Sequence, residues 1–99
     1  MVCEQFKVNP KQLVRTILTL LKKNRVITSI DVARSLGVPI ECMPLYELTI
    51  DTVLRSYNIR TTKVKYCKKC KKIYSDTKLK YCPVHKDTPL IPINKYEKI

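Results

Sequence analysis

The sequence predicts an α+β fold, in which a core of three helices is followed by a small antiparallel β-hairpin built around a metal site. Three observations lead there. Apolar residues recur at helical spacing through residues 10–57, the pattern turns extended from Ile59, and four metal-ligating side chains stand in two pairs in the last third. The 99-residue chain divides accordingly into a helical part, 1–62, and a metal-binding part with a C-terminal tail, 63–99. At this length they form one domain, or two very small ones sharing a core.

The first helix opens at Asn9-Pro10, with Asn as N-cap and Pro at the first helical position. Leu13, Val14, Ile17, Leu18, Leu20 and Leu21 then form a core stripe, and the helix ends near Asn24. Val26-Ile27 is a short extended link. Thr28 or Ser29 caps a brief helix, Ile30 to Leu36, and Gly37 stands just past its end, where a left-handed residue costs least. After Pro39, Pro44 starts a third helix from Leu45 to about Tyr57. Its broad apolar sector is read as Leu45, Leu48, Ile50, Thr52, Val53, Leu54 and Tyr57, with Tyr46, Glu47, Asp51 and Arg55 exposed and Thr49 and Ser56 beside them. A long helix, a link, a short helix, a turn and a third helix make a helix-turn-helix arrangement. From Ile59 the residues Thr61, Thr62, Val64 and Tyr66 suit a strand.

Cys67-Lys-Lys-Cys70 and Cys82-Pro-Val-His85 are the most specific signal in the chain. Two residues between ligands let a tight turn aim both donors at one ion, and two such turns complete a tetrahedral shell of three thiolates and one imidazole. Between them, Lys71-Lys-Ile-Tyr74 and Lys78-Leu-Lys-Tyr81 read as short strands joined by a turn at Ser75-Asp76-Thr77. Pro89-Leu-Ile-Pro-Ile93 reads as a third, edge strand, because prolines cannot sit in a central ladder. The tail from Asn94 to Ile99 either is disordered or packs through Tyr96 and Ile99. Thiolate-rich tetrahedral sites favour one structural Zn2+, with iron as the other candidate. A Cys-x-x-Cys redox pair would leave Cys82 and His85 unexplained. Lys71 and Lys86 follow the second ligands, where Gly is usual because φ can be positive.

Five cysteines, an odd number, argue against a disulfide framework and for a reduced, intracellular setting. Cys42 is read as a small buried hydrophobe and Cys3 as functionless. Met1 to Val8 carries Glu4 and no apolar core of a secretory leader, and no apolar run approaches the ~18 residues of a membrane span. With one glycine in the chain there is no glycine-rich phosphate loop, so P-loop and Rossmann enzymes are excluded. The one histidine, His85, is claimed as a ligand, which leaves no Ser-His or Cys-His nucleophile pair; no enzyme is expected.

Twenty basic residues against eight acidic ones give a formal net charge of +12, with +8 of it on residues 63–99. Such a field draws polyanions, above all nucleic acid, whereas solubility alone needs only ~2–8 charges in a small domain. Lys63, Lys65, Lys68, Lys69, Lys71, Lys72, Lys78 and Lys80 are candidate phosphate contacts. Tyr66, Tyr74 and Tyr81 are interleaved with them, either stacking on bases or packing the small core.

Val26-Ile-Thr-Ser-Ile-Asp-Val-Ala-Arg-Ser-Leu-Gly-Val38 resembles the second-helix region of winged-helix DNA-binding domains, a likeness that covers residues 10 to 66. Residues 64 to 93 look like a zinc ribbon of the three-cysteine, one-histidine kind. The combination resembles small winged-helix and zinc-ribbon regulators of archaea and their viruses. The resemblance implies duplex DNA as ligand and transcription control as role, with Tyr46, Thr49 and Arg55 of the third helix supplying a few contacts. One departure is that Glu47 and Asp51, at i and i+4, would repel phosphate from that helix. Docking on a transcription machine and RNA binding by the ribbon stand as the other readings, and a homodimer through the first helix remains open.

Overall fold

The computed structural model describes residues 3 and 8–99. The stretch read for a leader, residues 1–8, therefore lies outside them apart from Cys3 and Val8. The fold is mixed α+β, with four α-helices and one antiparallel four-stranded sheet among the described residues.

Helix α1, Pro10–Lys23, begins where the Asn9 side chain accepts the Lys11 N–H at 2.9 Å, and it ends at Asn24. Leu13, Val14, Ile17 and Leu21 are its buried face. The link after it is a strand, β1, Val26–Thr28. Helix α2, Ser29–Leu36, is capped reciprocally, the Thr28 side chain accepting the Ile30 N–H and the Asp31 carboxylate accepting the Thr28 N–H at 2.9 Å. Gly37, at φ 70°, closes it.

The expected single third helix is instead a 3-10 turn, Ile40–Cys42, and two short helices, α3, Met43–Glu47, and α4, Asp51–Ser56. Between the two helices the amides of Thr49 and Ile50 reach back only three residues, to the carbonyls of Tyr46 and Glu47. The Thr49 hydroxyl also donates to the Tyr46 carbonyl at 2.8 Å, competing for an acceptor the helix would use. Four β-branched residues in the next five, Thr49 to Val53, weaken continuation further. The expected apolar sector is displaced too. Met43, Ile50 and Leu54 are buried, while Leu45, Leu48, Val53 and Tyr57 are exposed.

Strand β2, Ile59–Cys67, is followed by β3, Lys72–Tyr74, and β4, Ile91–Lys98, in the order β1-β4-β2-β3. Three expectations change here. Residues 78–81 form no strand beyond a single bridge from Tyr81 to Pro89, so the hairpin is β2–β3, folded across the first ligand pair. The segment expected at an edge leads into β4, which lies between β1 and β2. The tail is ordered as most of that strand, and position 62/63 falls inside β2.

Pro92 is tolerated there for a definable reason. The amides of Asn94 and Lys98 point away from β2, to the Ser29 hydroxyl and the Arg25 carbonyl. Pro92 has their parity, and its missing N–H falls where β1, which reaches only residues 95–97, offers no acceptor. The main core gathers α1, α2, α3 and α4 around Ile27, Ile59 and Tyr96, the last contributed by β4.

A disulfide joins Cys3 to Cys42, which corrects the expectation of no disulfide and of a functionless Cys3 and removes the argument for a reduced setting. The odd cysteine count misled because three cysteines belong to the metal cluster and leave an even pair. Cys42 is buried, as expected. No helix among the described residues is long and apolar enough to cross a membrane.

Candidate metal centre

Cys67 ends β2, and the chain reverses immediately. The Lys71 N–H donates to the Cys67 carbonyl at 2.7 Å and the Cys70 N–H to the Cys67 Sγ at 3.3 Å. That turn needs a left-handed residue, and Lys71 adopts φ 58° to supply it, where glycine would do so at less cost. The second turn is held by the Cys82 N–H on the Thr88 carbonyl at 3.0 Å and the Thr88 N–H on the His85 carbonyl at 2.8 Å. Leu90 packs with buried Cys67 and Cys82.

These two turns bring the donor atoms of Cys67, Cys70, Cys82 and His85 within 4.8 Å of one another. His85 Nδ1 lies 2.8 Å from Cys70 Sγ, 3.8 Å from Cys82 Sγ and 4.0 Å from Cys67 Sγ, and the Cys70 and Cys82 sulfurs are 3.3 Å apart. A tetrahedron with bonds of about 2.3 Å to sulfur and about 2.0 Å to nitrogen has edges of roughly 3.5–3.8 Å, so one ion fits. The four residues could bind a metal ion, with every coordination position filled by protein.

The thiols are not equivalent. Burial works to raise Cys82, but hydrogen bonds from the His85 backbone N–H, the Tyr74 hydroxyl and Cys70 overcome it and bring the thiol down to about 5. Burial pushes the neighbouring Cys70 up to about 11, aided by Cys82 and Cys67. The Tyr74 hydroxyl, 3.6 Å from Cys82 Sγ, is itself held protonated by that sulfur and by burial. One thiolate thus forms readily, and a cation would compensate the charge of the others.

Compared with family models, curated proteins and solved structures, the chain matches none.

The candidate phosphate contacts divide into two groups. Lys68 pairs with Glu41 at 2.8 Å, Lys69 approaches Asp87 at 3.8 Å, and Lys63 donates to Asn94 Oδ1 at 2.9 Å and lies 3.7 Å from Asp51. Lys71, Lys72, Lys78 and Lys80 are exposed, with no carboxylate in ion-pair range among the described residues, and Lys65 is half-buried. Of the third-helix candidates, Arg55 and Thr49 are exposed, but Tyr46 is half-buried and its hydroxyl donates to the Cys3 carbonyl at 2.9 Å. Among the tyrosines interleaved with these lysines, Tyr66 is buried, Tyr74 half-buried and Tyr81 exposed.

Glu47 is a correction. It was expected on the surface, yet only 2% of it is exposed. Its carboxyl accepts the Ser29 hydroxyl at 2.6 Å and the Tyr96 hydroxyl, while Asn94 donates to Tyr96 at 3.1 Å. The sequence offers Ser29 only as a cap and Tyr96 only as a tail contact, and does not place them or Asn94 beside Glu47. The available signal was periodicity, since Met43, Glu47, Ile50 and Leu54 share one face at helical spacing and the other three are apolar.

Proposed function

We propose that this chain is a zinc-containing DNA-binding protein, acting in the control of transcription, with a winged-helix core whose wing is replaced by a zinc ribbon. The observation that carries the reading is an insertion. The elements run helix, strand, helix, helical pair, strand and strand, with β4 between β1 and β2, and the metal cluster occupies the connection from β2 to β4. That connection is where a wing extends towards duplex DNA in winged-helix domains.

Zinc is the ion favoured by three thiolates and an imidazole in a closed tetrahedral shell. Its role is structural, because no position remains for water or substrate. Lys71, Lys72, Lys78 and Lys80, which pair with no carboxylate among the described residues, stand on the inserted segment and neutralise phosphates. The broken third helix offers only Thr49 and Arg55 to a groove, so binding is salt-driven and weakly sequence-selective.

Fluorescence anisotropy of the zinc-loaded protein with random duplex DNA across a salt series tests this. A steep negative salt slope is expected, and changing Lys72, Lys78 and Lys80 to Gln lowers it by about 0.9 for each phosphate no longer neutralised. An unchanged slope, or preference for single-stranded RNA, overturns the reading. Flat binding to both nucleic acids would favour docking on a protein machine, a reading supported by Leu45 and Leu48, exposed at 52% and 70% on the helical pair.

A further inference from the structure

A groove of about 550 Å³ runs between α1 and α4. Its floor is apolar, with Val14, Leu18 and Leu21 of α1 facing Val53, Tyr57 and Ile59. Its rim is cationic, carrying Lys11, Arg15, Lys22 and Lys98, and no carboxylate among the described residues lines it. Val53 and Tyr57 are 44% and 51% exposed, large apolar side chains held at the groove edge in water. We propose that this groove binds an acidic amphipathic helix of a partner protein.

The distribution of charge selects that occupant. Lys11 and Arg15 stand at one end of the α1 wall and Lys22 at the other, about 17 Å apart at 1.5 Å per residue, with Lys98 also on the rim. An acyl carboxylate carries one charge, at one end, and would leave the distant cations unanswered. A phosphate backbone answers the cations but gains nothing from an apolar floor. A second copy of this chain packed groove to groove would set cation against cation, because the lining carries four basic residues and no carboxylate among the described residues. A helix with leucine-like residues at i, i+3, i+4 and i+7, flanked by Asp or Glu over about three turns, satisfies both the floor and the whole rim. The inference does not rest on the DNA-binding reading, since no candidate phosphate contact lines the groove.

The test uses the full zinc-loaded chain, labelled with 15N, and a synthetic helical peptide of ~14 residues with leucines at that spacing and glutamates on the flanks. Saturable shifts confined to α1, Val53 and Tyr57, with micromolar affinity, are expected. The double variant Arg15→Glu, Lys22→Glu should weaken binding at least ~10-fold and gain affinity for the peptide with Lys in place of Glu. Val53→Asp should abolish binding without altering the thermal melt. Equal binding of a scrambled peptide of the same composition overturns the proposal. So do the same shifts produced by palmitate or on self-association, displacement of the peptide by duplex DNA, and an absence of shifts at millimolar peptide.

Discussion

At Glu47 a carboxyl group is enclosed beside Ser29, Tyr96 and Asn94, with Lys63 and Asp51 the charges that act on it. Burial raises its pKa from 4.5 to about 7, against the lowering effect of the Ser29 hydrogen bond and Lys63. A raised folded-state pKa means that the folded protein holds this proton more tightly than the unfolded chain. The associated stability is complete below about 4.5 and is lost as pH rises to about 7. The full swing is about 3 kcal/mol. Urea unfolding of Glu47→Gln beside the parent, at pH 5, 6 and 8, should show the parent losing ground to the variant as pH rises. Taking the difference cancels acid effects on the thiols, and parallel profiles would mean that Glu47 is ionised throughout. The sequence concealed this group because a carboxylate at i, i+4 from another acid reads as surface. What buries it is the hydroxyl of Tyr96, 49 residues away in sequence.

Among the elements, those with their own punctuation were legible. Asn9-Pro10 and the Thr28/Asp31 box start α1 and α2, and Asn24 and Gly37 end them, all through hydrogen bonds within a few residues. Replacing Thr28 by Ala removes the acceptor for the Ile30 N–H and should cost about 1 kcal/mol in chemical denaturation. Thr28→Ser should recover most of it, and a loss below about 0.3 kcal/mol would show that the cap is dispensable. The third helix lacked such punctuation. Pro44 announces a start, but no Gly or Asn marks the break at Leu48 to Ile50, and the apolar residues satisfy several helical faces at once. β4 was misplaced because Pro89, just before it, and Pro92, within it, suggest an edge. Only the register, with Pro92 beyond the reach of β1, makes that residue compatible with a central strand. The metal ligands were legible because their spacing is local, whereas the strand that closes the core around them is not.

At the scale of the whole molecule, the helical core and the metal cluster share β2 and β4 but not their apolar contacts. Leu13, Ile17, Val32, Met43, Leu54 and Tyr96 belong to one buried cluster, and Cys67, Cys82 and Leu90 to another. The β2–β4 ladder from Ile59↔Lys98 to Tyr66↔Ile91 ends just before the first ligand, so the core strands are paired without help from the ion. Residues 68–90 have little else to order them, since β3 is three residues long and the rest is turns. Chelation should therefore act unevenly. Amides of residues 68–90 should lose dispersion and exchange protection, while those of α1, α2 and the β2–β4 ladder keep theirs. A bound metal ion would contribute RT ln(1 + [L]/Kd) to the folded state, ~4 kcal/mol at a thousandfold excess over Kd, so on its removal the melting temperature should fall even though the helices persist. Cys82→Ser should reproduce the pattern in the presence of added metal, as it removes one of the four donors of the cluster. Melting of α1 and α2 together with residues 68–90 would show instead that the ion organises the entire chain. In that case the shared strands, rather than the separate clusters, would set the cooperative unit.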